Sequence, residues 1–263
     1  MKRITAALLG LFFYIKLSAG EDFCGIRNTA FLPDESITFS VFYSVIGLYV
    51  NAGSASFTTT LEKLNNKPVY HAVGVGSSNP RYDWIFKVRD RYESYFDTTY
   101  LQPLKFIRNV DEGGYEKTEH VTFDQKKNIA KTTKGIYKVP DCVQDVLSAV
   151  YYARNINFNK YKPEDKIPFT MFLDNEVYNL YIRYQGKEVI KTRSGQFNAI
   201  KFTPLLVKGT IFEGGEKMTV WVSDDPNHIP LRIESPITVG SIKVDMMQYR
   251  NLRYPLSSKI SAQ

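Results

Sequence analysis

Two adjacent carboxylates, Asp224 and Asp225, come nearest in this sequence to the spacing of an acid–base pair. Paired carboxylates can serve a hydrolase as general acid and base, or they can share a cation. Here they follow an apolar run containing Trp221 and precede Pro-Asn, a context typical of a turn in which Asp side chains bind the backbone. We favour the turn and retain, as a minor alternative, a hydrolase that uses Asp90, Asp224 or Asp225.

A second group of charges, Arg89, Asp90 and Arg91, alternates in sign at the expected start of a strand. Neighbouring residues of a strand face opposite sides of its sheet, so at least one of these charges would point inward. An isolated buried charge is costly and must be paired. The run therefore predicts a structural ion-pair network, with a polar ligand pocket as the second interpretation.

Other catalytic patterns are missing from the sequence. It contains no Gly-x-Ser-x-Gly motif, and the glycines at 74–76 fall short of a dinucleotide-binding fingerprint. The three histidines, His71, His120 and His228, are far apart and lack metal-ligand spacing. We therefore assign no catalytic residue, no metal site and no cofactor.

The first twenty residues indicate export. Lys2 and Arg3 precede an apolar run, and small residues at 18–20 provide a cleavage site near Gly20. The run is too short for a retained membrane span, which needs about 20 apolar residues. The sequence thus predicts a signal peptide at 1–20 and a periplasmic or secreted protein that does not span the membrane.

Charge and cysteine content fit that location. The net charge of +7 loses Lys2, Arg3 and Lys16 with the signal and falls to +4, spread among acidic residues rather than gathered in a nucleic-acid-binding stripe. Cys24 and Cys142 are the only cysteines, and an oxidising compartment would permit a disulfide between them, although two free thiols remain the alternative.

Short runs of alternating apolar and polar residues dominate the chain from position 36 and predict antiparallel strands. Residues able to adopt positive φ, such as Asn65-Asn66, Asp174-Asn175 and Gln185-Gly186, separate the runs and predict turns. The predicted strands are 37–41, 49–61, 69–75, 91–96, 104–109, 117–123, 128–133, 167–173, 177–184, 187–192, 199–205, 218–223, 231–235 and 242–249.

One amphipathic helix interrupts the strands at about 141–155. The segment from Asp141 to Gln144 is similar to a capping box, and Leu147 and Tyr151 belong to an apolar stripe with helical spacing. We expect one antiparallel β domain at 21–263: a strongly curved sheet or incomplete β-barrel with this helix packed against it. The helix separates two β halves.

Several segments, in order, resemble the exported bacterial family known as domain of unknown function 3108. The matching segments are 51–55, 88–94, 144–154, 221–225 and 229–230. The resemblance implies an envelope protein rich in antiparallel β structure, without an assigned activity. Its polar positions, together with Trp221, are hypotheses for an ion network or a binding site: Arg89, Asp90, Arg91, Asp145, Arg154, Trp221, Asp224 and Asp225.

Function is the least determined property of this sequence. Export, the absence of catalytic motifs and a high content of Tyr and Phe favour a non-enzymatic protein that binds or carries an apolar or amphipathic envelope molecule. An envelope scaffold that acts through protein–protein contacts is the alternative. No nucleic-acid partner is expected.

Overall fold

The computed structural model describes residues 24–45, 48–208, 214–237 and 240–260. The predicted export signal at 1–20 lies outside these residues. Strands dominate and have the following bounds: β1 Ser36–Val45, β2 Leu48–Leu64, β3 Lys67–Ser78, β4 Arg89–Asp97, β5 Pro103–Glu112, β6 Tyr115–Asp124, β7 Ile129–Thr132, β8 Gly135–Lys138, β9 Lys166–Leu173, β10 Glu176–Thr192, β11 Gly195–Pro204, β12 Thr219–Ser223, β13 Pro230–Pro236, β14 Ser241–Arg250 and β15 Lys259–Ile260. One α-helix, α1, spans Val146–Ala153, and 3₁₀ turns occupy Pro80–Tyr82 and Phe158–Lys160.

All of these strands belong to one antiparallel sheet. Its order is β8-β7-β6-β5-β4-β3-β2-β1-β14-β13-β12-β11-β10-β9, and β15 pairs with β11. The pairing of β1 with β14 joins the halves that precede and follow the helix. The predicted fold class, a mainly antiparallel and incompletely closed β structure with a packed helix, is confirmed.

The two ends of the sheet approach each other without pairing in the described chain. Asp174, in the turn between β9 and β10, contacts Arg108 of β5 and Lys117 of β6. The free edge of β9 pairs instead with Gln144, whose N–H donates to Thr170 at 2.9 Å. An ion cluster and a short extended segment therefore occupy the position where a closed barrel would have another strand pair.

The helix begins later than the sequence predicts. Asp145, not Asp141, is the N-cap: its side chain accepts from Ser148 N, and the Ser148 side chain returns to the Asp145 backbone. The preceding residues cannot be helical because Cys142 has a φ of 57° and Gln144 is committed to β9. The predicted bounds of 141–155 are thus wrong at both ends, while the packing against the sheet is correct.

One predicted turn is also wrong. Gln185-Gly186 does not end a strand, since β10 continues from Glu176 to Thr192 with a bulge between Tyr184 and Gly186. Gly186 adopts a φ of 102°, which a bulge requires as readily as a turn does. The two strands predicted at 177–184 and 187–192 are therefore one bent strand.

That bend folds the β10–β11 hairpin over the outside of β1 and β14. Ser194 Oγ at the hairpin tip donates to the Met246 carbonyl of β14 at 2.5 Å. Beneath the hairpin lies an apolar cluster: Ile37, Phe39, Ile190, Phe197, Ala199, Trp221, Ile229, Leu231 and Met246. This second core fixes the hairpin on the outer face of the sheet.

The main core lies on the other face, between α1 and the sheet. Aromatic rings fill it, with centroids 4.9 Å apart for Phe31 and Tyr151 and 5.8 Å apart for Phe158 and Phe202. Within the described ranges, no helix combines the length and apolar character needed to span a bilayer.

Candidate functional site

Asp224 and Asp225 do not form an acid–base pair. Asp225 is buried and holds the turn after β12, where its carboxylate accepts from Ser223 Oγ and Asn227 N, each at 3.0 Å. Asp224 points elsewhere and contacts Lys187 Nζ at 2.8 Å. These contacts are those of a structural turn.

Arg89 and Arg91 lie two residues apart on β4, and each pairs with a different carboxylate. Arg89 pairs with Asp83 at 2.5 Å and donates to Ser78 Oγ at 2.9 Å, at the base of the loop between β3 and β4. Arg91 pairs with Glu93 at 2.7 Å on the outer face. Both arginines therefore serve local ion pairs.

Asp90 faces inward, beside the carboxyl group of Glu112. Burial and this neighbouring carboxyl raise the pKa of Asp90 to about 7, and Asp90 Oδ1 is buried without a hydrogen-bond partner. A carboxyl pair of this kind is what the hydrolase alternative needs. Asp90 and Glu112 do not line either of the two clefts described below.

Asp145 and Arg154 mark opposite ends of α1. Asp145 is fully buried and accepts from Ser148 N at 2.8 Å and Ser94 Oγ at 2.5 Å, and burial raises its pKa to about 7. Arg154 donates two hydrogen bonds to Glu35, at 2.5 and 2.8 Å. Both side chains fix the helix within the core.

Trp221 packs into the second core, and its indole N–H donates to Glu188 Oε1 at 2.6 Å. The eight predicted site residues thus lie in separate places: residues 89–91 on β4, Asp145 and Arg154 at the two ends of α1, and Trp221, Asp224 and Asp225 in and after β12. They do not converge on one site.

Cys24 and Cys142 form a disulfide in the structure, with Cα atoms 5.3 Å apart. The bond joins the N-terminal arm to the segment before α1. The arm then carries Phe31 and Glu35 to Arg154.

A site that the sequence analysis missed lies where the tip of the β10–β11 hairpin meets the outer face of β1, β13 and β14. It is an open cleft of about 250 Å³. Its walls contain four cationic side chains, one carboxylate, one threonine and two aromatic rings: Lys191, Arg193, Arg232, Lys243, Asp245, Thr192, Phe42 and Tyr49. We call it the cationic cleft.

The charges of the cationic cleft are only partly neutralised by the protein. Arg232 donates to Asp245 at 2.7 and 2.9 Å, and Lys243 contacts Glu234 at 2.9 Å. Lys191 and Arg193 have no carboxylate partner in the part of the chain that the structure describes. Cations gathered without counter-charges create a local potential that attracts an anion.

Two aromatic rings give the cationic cleft an apolar side. The Arg193 guanidinium lies over the Phe42 ring at 4.2 Å, and Lys243 Nζ lies over Tyr49 at 4.7 Å. Tyr49 is half exposed, so one of its faces is available to a ligand. A second open cleft shares Tyr49 and Lys243 and extends the same surface.

This arrangement can bind an anionic group and stack against an apolar or sugar ring. No group of three His, Cys, Asp or Glu side chains among the described residues is placed to hold a metal ion.

Sequence reasoning missed the cationic cleft because its residues come from five strands, β1, β2, β10, β13 and β14. Alternating cations at Lys191 and Arg193 provided the one local signal, since residues two apart share a face of a strand. Their approach to Phe42 depends on the bulge at Gly186, which the sequence analysis interpreted as a turn.

Comparison with protein families gives one match over most of the chain. The family model described as "Protein of unknown function (DUF3108)" matches residues 38–247. A search of curated proteins finds no match to the sequence.

Among solved structures, a β-barrel-like protein of the unknown-function family DUF1849 from Brucella abortus has a TM-score of 0.55 at 8% identity, over 87% of this chain and 100% of that one. That similarity supports a shared fold. A lipoprotein candidate from Parabacteroides distasonis has a TM-score of 0.34 at 14% identity, covering 85% of this chain and 100% of that one, too low to support an argument.

Proposed function

The chain belongs to the family described as protein of unknown function DUF3108, and we propose that it is an exported, non-enzymatic cell-envelope protein that binds an anionic amphipathic molecule. The cationic cleft holds the head group of that molecule. The observation that carries the proposal is the exposed pair Lys191 and Arg193, which have no carboxylate partner among the described residues and face a cleft flanked by aromatic rings.

The size of the cationic cleft limits what it can hold. Binding sites for whole small molecules usually measure about 300–1,000 Å³, and this cleft has about 250 Å³. A phosphate- or carboxylate-bearing head group fits, whereas the acyl chains of a lipid would remain outside. The interior offers less room because its aromatic rings pack against each other. The ligand is therefore bound by its head group rather than enclosed.

Export is supported by the predicted signal at 1–20 and by the pairing of Cys24 with Cys142. These two features are independent of the cationic cleft. They would equally suit an envelope scaffold, so the experiment must separate a small ligand from a protein partner.

Native mass spectrometry of the protein released from its own envelope makes this separation. We expect a bound anionic amphiphile on the wild type and its loss from the Lys191→Gln/Arg193→Gln double variant. The Lys126→Gln/Lys134→Gln variant is the matched control, since it removes two exposed charges elsewhere. A wild-type protein without an amphiphile, or with a stoichiometric protein partner, would contradict the proposal, and the latter result would favour the scaffold.

A further inference from the structure

The loop between β3 and β4 exposes three consecutive large apolar side chains. Trp84, Ile85 and Phe86 are 83%, 64% and 42% exposed. Many large apolar residues of the described chain are buried in three apolar clusters, and a run of three exposed ones is costly in water. We call residues 84–86 the apolar tip.

The loop is built to hold the apolar tip in place. At its base Arg89 pairs with Asp83, and Ser78 Oγ donates to the same carboxylate. The backbone N–H groups of Ile85 and Phe86 both donate to the Tyr82 carbonyl, at 2.9 and 3.2 Å. These bonds fix the turn that exposes Trp84 and Ile85, while the Phe86 ring lies against Gly113 in the turn between β5 and β6.

Further exposed apolar side chains occur at the same end of the sheet. Tyr49 and Val50 begin β2, and Tyr115 begins β6; they are 51%, 41% and 47% exposed. The start of β2, the loop after β3 and the start of β6 share one end because neighbouring strands are antiparallel. Asn79 N donates to the Ala52 carbonyl at 2.7 Å and ties the loop to β2.

Cations flank the apolar tip. Arg81 is exposed and has no carboxylate partner in the described chain, and Lys87 extends beside Asp111 at 2.6 Å. Lys87 is thus paired with Asp111, and Arg89 is paired with Asp83. The tip therefore combines apolar side chains with one exposed cation, Arg81, that has no carboxylate partner among the described residues.

We propose that the apolar tip inserts into the interfacial region of an anionic phospholipid bilayer and docks the protein peripherally on a membrane. Trp is favoured at the boundary between head groups and acyl chains because its ring is apolar and its N–H is polar. Apolar side chains beside cations bind such surfaces through burial together with attraction to anionic lipids. Residues 84–86 do not line the cationic cleft, although Tyr49 belongs both to that cleft and to this end of the sheet, and the proposal stands even if the cleft binds nothing.

Vesicle flotation tests the docking directly. The full chain is mixed with vesicles of phosphatidylcholine containing phosphatidylglycerol, and Ile85→Ser is compared with Ile136→Ser. Ile136 on β8 is the matched control because it is 68% exposed at a different place on the sheet. We expect Ile85→Ser to weaken vesicle binding by at least about tenfold and Ile136→Ser to leave it unchanged. Equal binding by both variants, or no binding of the wild type, would overturn the proposal.

Fluorescence locates the inserted residue. Trp84 and Trp221 are the only tryptophans, and Trp221 is buried, so Trp221→Phe leaves Trp84 as the sole reporter. Vesicles should shift its emission to the blue, and brominated lipids should quench it. A blue shift that depends on protein concentration without vesicles would show that a second copy covers the tip instead, and it would reject the membrane.

Discussion

Arg154 and Arg193 both place a guanidinium over an aromatic ring, yet only Arg154 has a carboxylate partner. Arg154 is 4% exposed, lies 5.4 Å from the Phe31 ring and binds both oxygens of Glu35. Arg193 is exposed and lies 4.2 Å from the Phe42 ring, beside Lys191. The same side-chain type thus occurs in a closed and in an open electrostatic environment.

The difference separates folding from recognition. A buried cation must be neutralised within the chain, since removing it from water unpaired is costly. The hydrogen bonds from Arg154 to Glu35 therefore fix α1 to the N-terminal arm. Arg193 has no such requirement because water solvates it, and its charge can be neutralised by a ligand. A cation that is paired with a carboxylate inside the protein therefore indicates a structural role. A cation at a cleft without such a partner indicates a binding role.

We expect the largest loss of stability around Arg154 when the N-terminal arm, which carries Glu35, is released. Replacing Cys24 and Cys142 together by serine opens a loop with a sequence separation of 118 residues. The chain-entropy model predicts a loss of about 4–5 kcal/mol in the free energy of unfolding. Urea unfolding of the variant and of the reduced wild type should agree. An unchanged unfolding midpoint in both would show that the arm is held without the bond.

Breaking the ion pair between Arg154 and Glu35 should lower the free energy of unfolding almost as much. Arg154→Met leaves the Glu35 carboxylate buried without its partner, and we expect a loss of about 3–5 kcal/mol in the free energy of unfolding. The double variant Glu35→Leu/Arg154→Met removes both charges and should recover most of that loss. If the double variant were as unstable as the single one, packing over Phe31 rather than charge pairing would explain the effect.

A buried acid at the other end of α1 makes stability depend on pH. Burial raises the pKa of Asp145 from 3.8 to about 7, so the folded state binds a proton more readily than the unfolded state between these values. Stability should therefore fall as pH rises through this window and level off above it.

Asp145→Asn tests this dependence because Asn keeps the capping acceptor. Between pH 5 and pH 8 the wild type should lose on the order of 1–2 kcal/mol more than this variant in urea unfolding. Parallel pH profiles for the two proteins would contradict the assignment. Asp90, with its pKa also raised to about 7, contributes a loss of the same sign in both proteins.

Substitutions in the cationic cleft should have the smallest effect on the free energy of unfolding. Lys191→Gln/Arg193→Gln removes two exposed charges that have no carboxylate partner among the described residues, so the free energy of unfolding should change by no more than about 1 kcal/mol, mainly through the lost contact of Arg193 with Phe42. A large loss in urea unfolding would mean that these cations hold the hairpin on β1 and β14. Lys191 and Arg193 would then have a structural role, as Arg154 has, and would not form a binding site.

Local patterns predicted most strands and several turns. The turn residues Asn65 and Asn66 adopt positive φ values of 49° and 63°, as their side chains favour. Local signals failed where a distant strand decides the conformation. Gln144 is extended because β9 offers backbone partners, and this contact moves the helix start to Val146.

The candidate site was harder to predict than the fold because it depends on a bend. Gly186 permits both a turn and a bulge, and only the pairing of β10 with β11 decides between them. The bulge carries Arg193 to Phe42 across the sheet. The predicted site residues were polar positions in recognisable segments, and most of them stabilise turns and the helix instead.

Isothermal titration with a short-chain anionic lipid tests the central claim most directly. Dihexanoyl phosphatidate is titrated at low salt into the wild type, Lys191→Gln/Arg193→Gln and the control Lys126→Gln/Lys134→Gln, with dihexanoyl phosphatidylcholine as the zwitterionic comparison. We expect wild type and control to bind phosphatidate alike, and the cleft variant to bind it at least about tenfold more weakly. Phosphatidylcholine should bind more weakly than phosphatidate to the wild type. Equal affinity of all three proteins for phosphatidate would contradict a head-group site in the cationic cleft.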